Sequence, residues 1–466
     1  MFASRVYPFI RTWLWRLLVF TCLSACFLNS YRNDGDGASP VADVGHVRVF
    51  AWGGPVLGWV KLGSDINGDE EYGYFGKAVA LSGDGTTVAV GAEGVGRAGD
   101  HATDDYFGEV RMLRWSGTNW VQLGSRIRGD VPDDYFGSRL VLSNNGNTAA
   151  IGAQHRVTHT NDHPDNNRGY VKVFDFTSGV WVQRGSTLWG DGRLDYAYKP
   201  SLSADGNVLA NGATETGDNG QLYAGRGYVR VFDWVPGNAW VQRGTHIYGV
   251  AVLDQFGFAV SLSASGDTVA VGAPMASHGG INEAGHVRVF DCDSSTNSWL
   301  QRGAHIIDID SATAGDRLGY SVSLTDDGNA VAVGSPANVA GGDAGLALVH
   351  VWDGTVGTSG AWVRRGSAIS GSVAGDQSGH VISLSATGGV VAITAPIHQL
   401  TGATWGERGQ TRVYGFCQCQ HLPEVCTGVD AWVPRGLAIE GEGEDDRSGW
   451  SGMSLSSRGD VLAIGA

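Results

Sequence analysis

Carboxylates at short spacings are the residues of this chain best suited to chemistry. Asp69, Glu70 and Glu71 follow one another, Asp130, Asp133 and Asp134 stand close together, and a third acidic stretch runs from Glu440 to Asp446. Clustered carboxylates can surround a hard cation, act as general acids and bases, or present a negative face to a basic partner. A second pattern is regular: an Asp precedes a chemically similar turn at Asp134, Asp254, Asp316, Asp376 and Asp446, each three residues before a glycine. A position that recurs along one chain suggests a structural task, such as accepting backbone N–H bonds in a turn, with ligand or cation contact as the alternative. Both sets are kept as candidate binding residues.

Metal and cofactor chemistry finds little support. A calcium cage needs ~6–8 oxygens, whereas turns such as Ser203-Ala204-Asp205-Gly206-Asn207 offer one carboxylate each. No metal and no cofactor is therefore expected, with Asp308-Ile309-Asp310 the weaker calcium option. His155, His159 and His163 share a four-residue spacing that would gather imidazoles on a helix, but Pro164 and the surrounding Asn and Asp residues make this a loop. Gly94 to Gly99 spells a dinucleotide fingerprint without the helix that would give it meaning. Arg128-Gly129-Asp130 falls on a phrase that repeats as Ile66-Asn67-Gly68-Asp69, so repetition explains it better than adhesion; Arg458-Gly459-Asp460 is the second such tripeptide. His-Glu-x-x-His, Gly-x-Ser-x-Gly and a phosphate loop are all missing. A chain without catalysis is the expectation.

Composition narrows the partner class. The 466 residues carry a net charge of −15, which excludes the basic stripe that nucleic acid requires. Arg5, Arg11 and Arg16 precede the apolar run Leu17 to Leu28, so residues 1–28 read as a signal peptide or membrane anchor, with cleavage favoured. Leu23-Ser24-Ala25-Cys26 also resembles a lipoprotein box. Residues 29–44 are a polar linker. Export permits disulfides, and in "CQCQHLPEVC" a local disulfide to Cys426 is the first reading; zinc on Cys417, Cys419, Cys426 and His421 is the second. No Asn-x-Ser/Thr acceptor occurs.

The elements that must position these residues are repeats. The glycine that opens a Val-Arg-Val-like strand recurs at Gly45, Gly108, Gly169, Gly227, Gly285, Gly345 and Gly409, roughly 60 residues apart. Each unit then shows a tryptophan strand, starting at Trp59, Trp120, Trp181, Trp240, Trp299, Trp362 and Trp432, and two further strands joined by turns such as Asp84-Gly85 or Asp327-Gly328. Four strands per unit cannot cover both their own faces, so the units must stack on each other, and radial stacking of such sheets is a β-propeller.

Phe75-Gly76, Phe136-Gly137 and Phe256-Gly257, with Gly272-Ala273-Pro274, resemble the FG-GAP repeat of the integrin α-subunit head. The third unit, placed at Tyr196-Ala197, is the most degenerate, and Glu93, Gln154 and Thr214 replace the proline. The resemblance implies an all-β, seven-bladed propeller over residues 45–466, its ring closed by joining the N-terminal and C-terminal strand pairs. It also implies a ligand-binding face where the long connections emerge, at Glu93 to Phe107, Gln154 to Arg168, Thr214 to Arg226 and Ile397 to Arg408.

The expected function is that of a monomeric scaffold, extracellular or at the cell surface, binding a protein or glycan through its long-loop face. Contact with a membrane would come only through the N-terminal anchor. A propeller hydrolase acting on polysaccharide is the alternative, and would be recognised by carboxylates with His or Tyr at one mouth of the channel. A purely structural repeat protein is the third possibility.

Overall fold

The computed structural model describes residues 44–96, 105–155, 167–214, 225–237, 239–307, 313–338, 344–356, 360–399, 406–417, 430–443, 445–450 and 452–466. The proposed leader, residues 29–43 of the linker, much of each long connection, Asp308-Ile309-Asp310, and Cys419, His421 and Cys426 lie outside them. Among the described residues no helix is long and apolar enough to cross a membrane.

Seven antiparallel sheets form the blades of a β-propeller, each built from four main strands, which in six of them run in chain order from the channel outward. The first blade comprises Phe75–Leu81, Thr87–Ala92, Glu109–Trp115 and Trp120–Gln122. The seventh combines Met453–Leu455 and Val461–Gly465 with His46–Trp52 and Trp59–Lys61. Val47 to Ala51 pair with Gly465 to Val461, and His46 exchanges two 2.9 Å backbone bonds with Ala466. The two ends of the ring are thus closed by main-chain hydrogen bonds, which remove the open sheet edge.

The second strand of each blade explains why alternation is weak in the sequence. Thr87–Ala92 is buried throughout, because neighbouring blades pack on both of its faces. Its glycine is required by close approach: a Cβ on Gly91 would lie 2.1 Å from the Gly137 carbonyl oxygen of the next blade, and one on Gly272 would lie 2.0 Å from that of Gly319. The same contact corrects the alignment of the third repeat. Gly152 faces the Tyr198 carbonyl, so Ala197-Tyr198, not Tyr196-Ala197, takes the Phe-Gly place.

Three rings of hydrogen bonds tie the blades together. At the rim, all seven strand-leading tryptophans donate their indole N–H to a backbone carbonyl of the preceding blade, over 2.7 to 3.1 Å. Their recurrence in the sequence is therefore structural. Nearer the axis, Ser201, Ser261, Ser323, Ser383 and Ser454 accept from a leucine N–H of the following blade. At the mouth with short turns, the N–H of Gly83 donates to Asn144, and the chain of bonds continues through Ala204, Ala264, Asp326, Ala386 and Ser457 back to Gly83, each 2.8 to 3.0 Å.

Candidate functional site at the long-loop mouth

The opposite mouth is built from a strained turn used seven times. Before each inner strand, a non-glycine residue takes a left-handed backbone: Tyr74, Tyr135, Tyr196, Gln255, Arg317, Gln377 and Arg447, with φ between 46° and 59°. Such a conformation persists only where its surroundings enforce it. In six of the seven the preceding carboxylate does so, the exception being Tyr74, which follows Gly73. Asp134 accepts from the N–H groups of Asp130 and Val131, Asp254 from Ala251, Asp316 from Thr313, Asp376 from Ser372 and Val373, and Asp446 from Gly443. Asp195 does the same for Gly192 in the degenerate third repeat, where the sequence pattern hid it.

The turn delivers the next side chain to the channel. The residue after the turn glycine, or after Tyr198 in the third blade, reads Lys77, Ser138, Lys199, Phe258, Tyr320, His380 and Trp450. All seven inner strands contribute to a cavity of about 460 Å3, which these side chains line except Ser138, whose neighbour Arg139 enters instead. Glu93 and Gln154 reach the same cavity from the ends of their second strands, at two places where the repeat loses its proline.

The wall has two chemical halves. Phe258, Tyr320, His380 and Trp450 form a contiguous arc, with successive ring centroids 4.8, 4.9 and 5.0 Å apart. The Tyr320 hydroxyl stands 3.3 Å from His380 Nε2. Burial first, and then the Arg139 charge, lowers the His380 pKa to about 4, so the ring is neutral near pH 7. Burial raises the phenols of Tyr198 and Tyr320 above their ordinary value and keeps both protonated. The other half is polar: Lys77 lies 3.7 Å from Glu93, Lys199 sits 4.4 Å from the Phe258 ring centroid, and Arg139 projects beside them.

The acidic stretches face a different fate. Asp69 binds Arg111 and Arg126, Glu70 binds Arg128, and Asp130 binds Lys172, each pair joining neighbouring blades. Glu109, fully buried, holds Arg111, Arg126 and Arg128 together. Burial opposes ionisation of Asp69, but the Arg126 hydrogen bond and the two guanidinium charges prevail and leave its pKa below the usual value. Glu71 is half-buried and Asp133 buried. None of the ten carboxylates singled out from the sequence lines the cavity. Arg128-Gly129-Asp130 is likewise committed to ion pairs at both ends. Among the described residues no group of three His, Cys, Asp or Glu side chains could hold a metal ion. Cys417 is in a disulfide and Cys292 is a free thiol.

No family model matches the chain and no curated protein matches it. Solved structures do. A periplasmic gluconolactonase of Pseudomonas aeruginosa superposes with a TM-score of 0.50 at 15% identity, covering 86% of this chain and 98% of that one. A putative 6-phosphogluconolactonase of Bacteroides uniformis gives 0.51 at 11% identity with the same coverage. At such identities the likeness concerns the fold. It corrects two expectations: the propeller stands but the FG-GAP assignment gains no family match, and the chain can no longer be set down as non-catalytic, since both of these propellers bear the names of enzymes. The chain is thus similar in fold to lactonase propellers, with a side-chain-lined cavity at its long-loop mouth.

Proposed function

We propose that the protein is an exported carbohydrate-directed hydrolase whose active site is the long-loop mouth, and that its substrate is a sugar-derived cyclic ester. The observation that carries this is the convergence of Glu93, Lys77, Tyr198, Tyr320 and His380 in one cavity from four blades. Catalytic groups gathered in that way leave no linear motif. The named activities of the two lactonase propellers support the choice of a lactone, and the periplasmic one supports export together with the N-terminal segment.

The chemistry follows from the wall. Glu93, the carboxylate in the cavity, takes a proton from water as the oxygen attacks the ester carbonyl carbon. Lys77, beside it, balances the negative charge that grows on the carbonyl oxygen. The ring C–O bond then breaks, and the leaving oxygen receives the proton from Glu93, while the protonated Tyr320 phenol can donate a hydrogen bond to it. Water is consumed and one hydroxy acid results. The FG-GAP-like turns position these groups and lend the proposal no adhesive role.

The test is acid release from glucono-1,5-lactone and related aldonolactones, followed at constant pH and corrected for spontaneous opening. Turnover by the wild type that falls about 100-fold or more in Glu93→Gln is expected for loss of a general base. Hydrolysis no faster than the spontaneous reaction across the panel would overturn the reading.

A further inference from the structure

The same cavity carries a charge that the rest of the molecule does not explain. The chain has 47 acidic against 32 basic residues, a net −15, yet the cavity is lined by Lys77, Arg139 and Lys199 against the single carboxylate of Glu93. Lys77 is paired with that carboxylate. Arg139 has no ion pair among the described residues; one of its terminal nitrogens donates 2.9 Å to the Ser138 carbonyl. Some arginines elsewhere in the ring are matched by carboxylates, as Arg230 is by Asp191, Arg243 by Asp233 and Arg302 by Asp291, and others by neutral oxygens, as Arg412 is by Ser370 and Ser378, whereas Arg139 lines the cavity. An arginine fork at a cavity wall, with no carboxylate paired to it, is complementary to a planar or tetrahedral oxyanion, which it can grip through two parallel N–H bonds.

We propose that the cavity selects a sugar-sized ligand bearing a permanent negative charge, a carboxylate or a phosphate monoester, and that Arg139 is the residue that reads this charge. The inference rests on the long-loop mouth being the functional site and deepens that reading by naming the substrate class. Lys199 adds a second positive charge on the same wall. The aromatic arc from Phe258 to Trp450 supplies a flat apolar surface for the C–H face of a sugar ring. His380, held neutral, leaves that arc uncharged. The volume of about 460 Å3 suits a small organic ligand rather than a bare ion, since such sites span ~300–1,000 Å3. In an acidic protein, this local positive potential favours an anionic ligand over a neutral sugar.

The experiment is calorimetric titration of the full chain with D-glucuronate, glucose 6-phosphate, D-glucose and inorganic phosphate. Glucuronate or glucose 6-phosphate should bind at least tenfold more tightly than both glucose and inorganic phosphate, and whichever wins identifies the anion. Arg139→Gln should abolish that preference while leaving the melting temperature unchanged, and Arg139→Lys should restore part of it. Equal affinity for glucose, equal affinity for inorganic phosphate, binding of none of the probes, or a preference that survives in Arg139→Gln would overturn the proposal. Binding is read without turnover, so a failure to hydrolyse lactones leaves this result intact, and charge-blind binding leaves lactone hydrolysis intact.

Discussion

The two mouths of the channel are made by opposite means. At the short-turn mouth, Gly83, Asn144, Ala204, Ala264, Asp326, Ala386 and Ser457 are joined through main-chain atoms, and the cavity above them is only about 140 Å3. Side chains there are mostly small because the backbone does the joining. At the long-loop mouth six of the seven equivalent turns are held by carboxylates, and the position that follows carries Lys, Ser, Phe, Tyr, His or Trp. A repeat protein thus separates its tasks: what every blade must do alike is done by recurring residues, and what the molecule does once is left to positions where the blades differ.

The largest effect that would break this comparison comes from the blade interface both mouths share. Gly272→Val places a Cβ against the Gly319 carbonyl oxygen, 2.0 Å away, with backbone on both sides and no flexible side chain to yield. A loss of about 3 kcal/mol in denaturant unfolding is expected, at the top of the range for overpacking. An unchanged midpoint would mean that the blades can slide apart freely.

Acid should act through the long-loop side. His380 at the mouth and His286, at the start of the third strand of the fourth blade, are buried, which lowers their pKa values to about 4 and about 3. The unfolded chain takes up protons from about pH 6.5 downward, whereas the folded protein resists until those lower values. Stability therefore falls as the pH drops from about 7 towards 4, and the His380 contribution stops changing below that. Melting temperatures of His380→Phe across this window should show a shallower decline than the wild type; parallel curves would sink the assignment.

Smaller effects sharpen the contrast. Trp181→Phe removes one indole N–H bond to the Leu123 carbonyl at the rim and should cost about 1 kcal/mol, without altering ligand binding at either mouth. Ala264→Ser at the short-turn mouth keeps both backbone bonds of its ring and should change stability by less than ~0.5 kcal/mol. A larger loss at Ala264 than at Trp181 would show that side-chain packing, not the backbone ring, holds that mouth.

These differences explain what was readable from the sequence. The propeller and its closure were legible because Gly45, Trp59 and their counterparts recur at a fixed period, and recurrence is visible in one dimension. The site was not, because its signal is the failure to recur: Lys77, Lys199, Phe258, Tyr320, His380 and Trp450 occupy one structural position with unlike chemistry. The loss of proline at Glu93 and Gln154 was a second clue that read as degeneracy. Acidic clusters drew attention instead, since the arginines that neutralise Asp69 and Glu70 belong to the next blade and stand 42 to 58 residues away. The third repeat was misplaced by one residue because Tyr198 replaces the turn glycine, and with it Asp195 was missed.

If function resides at the long-loop mouth, two carboxylates, one from each mouth, must respond differently in the same assay. Glu93→Gln and Asp326→Asn each remove one negative charge, the first from the side-chain cavity and the second from the backbone ring. Lactone hydrolysis should fall about 100-fold or more in Glu93→Gln and stay at the wild-type rate in Asp326→Asn. Equal losses, or a loss confined to Asp326→Asn, would contradict the account.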